Sequence, residues 1–196
     1  MNLEKTLKIS KRIIKILKVL VVINIFVALA LFFFSINSDF REFASTSMTL
    51  TLGVFKLVFK DAIVNTAIEN NYPTYACLIT IILCFLWYLI LRHISMIVDN
   101  SLKSSIFCKE NTRSMNLIGI FILISGFIKL LTEIMSVVTI QRNINTLEIF
   151  NPALISSVSI EARLDVSFLI IAFVIFVLAK VFAYGQQLQQ LSDETL

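Results

Sequence analysis

The chain has 196 residues, of which 58% are hydrophobic and 15% charged; its mean hydropathy is +0.89 and its formal net charge +4. A soluble domain carries about 45–50% apolar and about 25% charged residues, so this composition excludes an ordinary soluble globule. With 4 glycines and 2 prolines against 17 phenylalanines, it also disfavours a transmembrane barrel, whose strands would alternate apolar and polar residues. The expectation is an all-α integral membrane protein with four transmembrane helices and a small extracytoplasmic cap built as a short β-ribbon.

Residues 3–18 read LEKTLKISKRIIKILK. Lys8, Lys11, Lys15 and Lys18 form one stripe of a helix, with Lys5 and Arg12 beside it and Leu3, Leu7, Ile14 and Leu17 on another side. Such a basic amphipathic helix is expected to lie in the headgroup plane. Its lysines serve either to bind anionic lipid of the inner leaflet or an acidic partner, or simply to hold the N-terminus inside. The first span follows from Val19 to Ile36. It exceeds the roughly 7–15 apolar residues of a secretory signal, so it reads as an anchor. Asn24, its strongly polar residue, is expected to hydrogen-bond a neighbouring helix.

Residues 37–73 form the first outer loop. Within it, Met48, Leu50, Leu52 and Val54 alternate with Thr49, Thr51 and Gly53, a strand pattern. The second span runs from Thr74 to Leu91, with Ala76, Thr80 and Cys84 as a small-residue stripe and Trp87 and Tyr88 near the inner interface. Residues 92–116 form the connecting inner loop. His93, the sole histidine, is expected to be a solvated interface residue.

The third span, Leu117 to Ile140, carries charge near its middle. Ser125, Lys129, Thr132, Glu133 and Ser136 recur at intervals of three and four residues and share a face. A charge at that depth costs roughly 2.5–3.5 kcal/mol on insertion scales, so this face should be covered by other helices or by water. Glu133 leans back towards Lys129 and can pair with it, giving either a polar site for a proton, ion or peptide, or a neutralised pair that fixes helix register. A second outer loop, residues 141–166, ends in the alternating pattern Val158 to Val166, expected to pair with Met48–Val54 in the cap. The fourth span, Ser167 to Gly185, precedes a polar tail, residues 186–196.

Counting Lys and Arg places eleven on the side of the termini (six up to Lys18, four from Arg92 to Arg113, and Lys180) and five on the other (Arg41, Lys56, Lys60, Arg142 and Arg163). The positive-inside rule then puts both termini in the cytosol of a multi-pass plasma-membrane protein. Cys77, Cys84 and Cys108 lie in apolar or inner segments and imply no disulfide framework. One histidine cannot build a His-based metal cluster or a His-centred triad. Phosphate-binding glycine loops, zinc helix motifs and nucleophile elbows are missing from the sequence. No catalytic residue, metal or cofactor is therefore assigned, and direct nucleic-acid binding is not expected.

Two further stretches carry a family likeness. The inner connection reads SSIFCKENTRSMNLIG, with Phe107, Asn111, Met115, Ile118 and Gly119; the end of the last span reads LAKVFAYGQQLQQLSDETL, with Phe182, Gly185, Leu188, Gln189 and the acidic Asp193–Glu194. In these motifs and in its four-span layout the chain resembles a family of small bacterial membrane proteins known as domain of unknown function 2975. It departs from that pattern at Ser105–Ile106, at Lys180 and at Ala183–Tyr184. The resemblance implies no reaction. It implies association with small helix-turn-helix regulators, which makes a membrane-bound, non-enzymatic partner of a soluble transcriptional regulator the leading expectation. An immunity or stress-protection protein acting against a membrane-active peptide through the outer loops is one alternative. A small transporter using Lys129 and Glu133 is the other. The oligomeric state is not legible in the sequence.

Overall fold

The computed structural model describes residues 3–36, 48–52, 55–59, 72–103, 106–143 and 165–194. Among them are four helices: α1 (Leu3–Ile36), α2 (Tyr72–Leu102), α3 (Lys109–Asn143) and α4 (Ser167–Glu194). Each is long and apolar enough to cross a membrane, which makes the chain a multi-pass membrane protein by length and composition. Two short strands, β1 (Met48–Leu52) and β2 (Phe55–Phe59), pair antiparallel, with Leu50 opposite Leu57. The sequence placed a strand at Met48–Val54 but paired it with Val158–Val166. Its partner here is the segment directly after it, and residues 158–164 lie outside the described residues.

The helices outrun the expected spans. At about 1.5 Å per residue, the 34 residues of α1 extend about 50 Å, well beyond a hydrocarbon core of about 30 Å. The basic segment is thus continuous with the first span in one helix. With neither glycine nor proline between Leu3 and Ile36, nothing interrupts the hydrogen-bond ladder where the segment was expected to turn. Likewise the expected inner loop 92–116 is mostly helical: α2 continues to Leu102 and α3 begins at Lys109. The polar tail, too, is helix as far as Glu194.

By its contacts the chain divides into two units, Met1–Ile25 with Ile82–Ile128 and Asp165–Leu196, and Phe26–Ile81 with Lys129–Leu164. The first holds both ends of the chain and the short α2–α3 connection. Its α3 and α4 run antiparallel and mesh through glycine sockets. Gly119 faces the Phe176 ring, which a Cβ there would meet at 2.7 Å, and Gly126 faces Phe168 more closely still. Near the ends of these helices the roles reverse, and Phe107 sits on Gly185, where a Cβ would meet it at 2.6 Å. Three of the chain's 4 glycines are therefore used to admit an aromatic ring. Small residues at such crossings let helices approach without help from the hydrophobic effect, which lipid does not supply. Ala172 and Ala179, almost wholly buried, continue the same face of α4. The opposite face exposes Ile170 and Phe173, apolar surface of the kind that suits lipid contact.

In the second unit, Ala28 of α1 is buried and Phe32 and Phe33 meet edge to face at 6.0 Å. Thr80 Oγ1 donates to the Ala76 carbonyl at 2.8 Å, one turn back on its own helix.

Candidate functional site

The densest polar construction among the described residues lies in the first unit, around the turn from α2 to α3. The Cys108 carbonyl accepts from the backbone N–H groups of Asn111 and Thr112, which opens α3. Asn111, in the third helical position, turns its side chain back: its Nδ2 donates to the Ile106 carbonyl at 2.9 Å. Its Oδ1 accepts from Asn100 Nδ2, across on α2, at 2.8 Å. Asn100 also reaches Cys108 Sγ at 3.6 Å. One amide thus ties together the end of α2, the connection and the start of α3, and Asn111 is fully buried in doing so. Burying a polar amide is tolerable only because its donor and acceptor are both used.

Phe107, the next residue of the connection, leaves this amide cluster for α4. Its ring lies 5.4 Å from that of Phe182 and rests on Gly185. The two motif stretches are therefore a single packed node, with Asn111 locking the turn and Phe107 locking the turn to α4. Met115 is half-buried, Gly119 is buried under Phe176, and Leu188 is exposed. Of the residues expected on an inner face, Asn111 and Gly119 are buried, Met115, Phe182 and Gly185 half-buried, and Phe107 and Leu188 exposed. Fully buried Asn111 and socket-forming Gly119 and Gly185 are packing residues; Leu188 faces outwards.

Two turns earlier on α2, His93 Nδ1 lies 3.4 Å from Ser114 Oγ on α3, and its ring is 5.9 Å from Phe121. It is half-buried, not the solvated residue the sequence suggested, because the helices continue past it. On the other flank of α2, Lys11 Nζ of α1 lies 2.6 Å from Asp99 Oδ1. Lys11 thus meets a neighbouring helix while its side chain stays partly exposed. Lys8 pairs with Glu4 on its own helix, and Lys15 is exposed while Lys18 is half-buried.

In the stripe of α3 two hydroxyls bond their own helix. Ser125 Oγ donates to the Ile122 carbonyl at 3.0 Å and Ser136 Oγ to the Glu133 carbonyl at 2.7 Å, both on their own helix. Lys129 is exposed, while Thr132 and Glu133 are half-buried. Among the described residues the ion pairs are Lys8–Glu4 and Lys11–Asp99, and the Lys129 ammonium does not meet the Glu133 carboxylate. Asn24 likewise returns its Nδ2 to the Leu20 carbonyl, at 3.0 Å, and bonds no other helix in doing so.

The three cysteines are free and half-buried. Among the described residues no group of His, Cys, Asp and Glu side chains is arranged to hold a metal ion. Neither a protein-family model, nor a curated protein, nor a solved structure matches the chain. Its function has to be argued from its own geometry. What the sequence missed is the role of Asn100, for which the only signal was an Asn eleven residues ahead of another across a short connection.

Proposed function

We propose that the protein is a non-enzymatic, membrane-anchored binding partner that holds a soluble helix-turn-helix-type regulator at the cytosolic side of the plasma membrane. In this reading both termini and the α2–α3 connection are cytosolic, as the distribution of Lys and Arg favours. The hairpin β1–β2 then belongs to the outer side, where it contributes a small cap.

The observation that carries the proposal is that α4 does not end with its apolar span. It continues as helix to Glu194 through QQLQQLSDE, with Leu188 and Leu191 exposed among glutamines. An amphipathic helix end of this kind is the element by which one protein reads another through helix-in-groove packing. Beneath it, the Phe107–Gly185 contact and the Asn111 lock fix where that end leaves the membrane. The family resemblance supplies the partner's class.

Co-purification from native membranes in mild detergent tests this. The wild type is expected to recover a small DNA-binding protein, and Leu188→Arg to lose it while inserting normally and melting at the wild-type temperature. Equal recovery by both proteins would remove α4's end from the interface. Variants of Phe107, Asn111 or Gly185 are unsuited to this test, because they would loosen the node itself. A transport reading finds less support. The serines of the α3 stripe bond their own backbone, and Lys129 stands apart from Glu133.

A further inference from the structure

The contact between His93 and Ser114 has a consequence for their neighbours in sequence. Arg92 precedes His93 on α2 and Arg113 precedes Ser114 on α3, so this 3.4 Å contact sets the two arginines at one level of adjacent helices. Both lie within electrostatic range of the His93 ring. Both are exposed. Among the described residues neither meets a carboxylate: Asp99, the acidic residue of this stretch of α2, is taken by Lys11. Two like charges at one level of adjacent helices, neither in an ion pair, repel each other, and an external anion relieves that repulsion.

The surface below them indicates what carries the anion. Phe85 lies seven residues before Arg92, on the same face of α2, and is exposed. Ile120 and Ile124 lie seven and eleven residues after Arg113, on its face of α3, and are exposed as well. Each arginine therefore crowns an apolar stripe that faces lipid. Trp87, also exposed, sits between the Arg92 level and the middle of the span, at the depth where such rings settle beneath headgroups. Basic clefts between transmembrane helices at the cytosolic surface are places where anionic headgroups bind.

We infer that Arg92 and Arg113, set side by side by the His93–Ser114 contact, form a binding site for the phosphate of an anionic phospholipid whose acyl chains lie along Phe85, Ile120 and Ile124. Guanidinium groups suit this ligand because their planar forks bind phosphate oxygens bidentately. The site is distinct from the lysine stripe of α1 and does not depend on the proposed regulator.

The test uses the full-length protein in mild detergent, titrated with phosphatidylglycerol or phosphatidylcholine and read by native mass spectrometry as bound lipid per protein. The wild type is expected to retain phosphatidylglycerol in preference to phosphatidylcholine. The R92Q/R113Q pair is expected to weaken phosphatidylglycerol about tenfold, and R92K/R113K by a smaller factor, since lysine keeps the charge but not the fork. A control variant, K180Q, at an exposed lysine of α4, is expected to leave retention unchanged. Should the glutamine pair fail to purify, R92Q and R113Q separately are each expected to weaken retention. Retention insensitive to the arginines, or lost equally in the lysine control, would overturn the site. Displacement of the lipid by millimolar inorganic phosphate would overturn the lipid assignment and identify a site for a free phosphate.

Discussion

Asn111 decides more than any other described side chain. Its carboxamide links Asn100 on α2 to the Ile106 carbonyl in the connection, so Asn111→Ala removes two hydrogen bonds from the base of the turn. Such losses cost about 1–3 kcal/mol. A clear drop in melting temperature in detergent is expected, with Asn100→Ala adding little in the double variant because the two share one bond. Additive losses would show that they act separately. The glycine sockets make a sharper contrast. A Cβ at Gly119 would meet the outer edge of the Phe176 ring, which can tilt, whereas at Gly126 it would meet Phe168 near its Cβ and Cγ, which cannot. Overpacking costs about 1–3 kcal/mol, and part of it is returned by the better helix propensity of alanine. Gly126→Ala is therefore expected to melt well below Gly119→Ala, and the reverse order would contradict the α3–α4 register.

At the scale of the elements, the four helices were legible because apolar runs of this length have few alternatives in a membrane. Their ends were not. Charged residues such as Lys11, Asp99 and Arg113 read as loop or interface in a span-by-span scan, yet they lie on helices that continue and pack beyond the apolar stretch. Lys11–Asp99 is the contact that shows this for α1. As a partly exposed pair it contributes little, on the order of 0.2–1 kcal/mol, so Lys11→Gln should barely change melting. The proximity itself is expected to appear in a Lys11→Cys, Asp99→Cys double variant, which a short bifunctional thiol reagent should cross-link in membranes. A failure to cross-link would mean that the N-terminal segment lies apart from α2. The polar stripe of α3 shows what a pattern leaves open. Periodicity groups side chains on a face but is silent about whether a serine will satisfy itself on its own backbone, as Ser125 and Ser136 do. Ser125→Ala is accordingly expected to shift melting by less than about 0.5 kcal/mol, the usual range of a surface substitution. A large loss would restore a role for that hydroxyl between helices.

For the whole molecule, the motif residues that suggested a docking face also pack against one another, Phe107 on Gly185 and Phe182, and Asn111 on the α2–α3 connection. Phe107 and Gly185 lie far apart in the sequence, and their complementarity of ring and socket is visible only once α3 and α4 are set antiparallel. What that construction presents outwards is the helical end of α4. The most direct test of the proposed role is therefore a photo-crosslinking amino acid placed at Leu188 in the native membrane, compared with the same probe at Phe173, on the lipid-exposed face of α4, and in strand β2. The account predicts a cross-link from position 188 to one small DNA-binding protein, with lipid alone captured at 173 and that protein absent from β2. Capture of a protein through β2 and none at 188 would contradict it, and would move the working surface of the molecule to the β1–β2 pair.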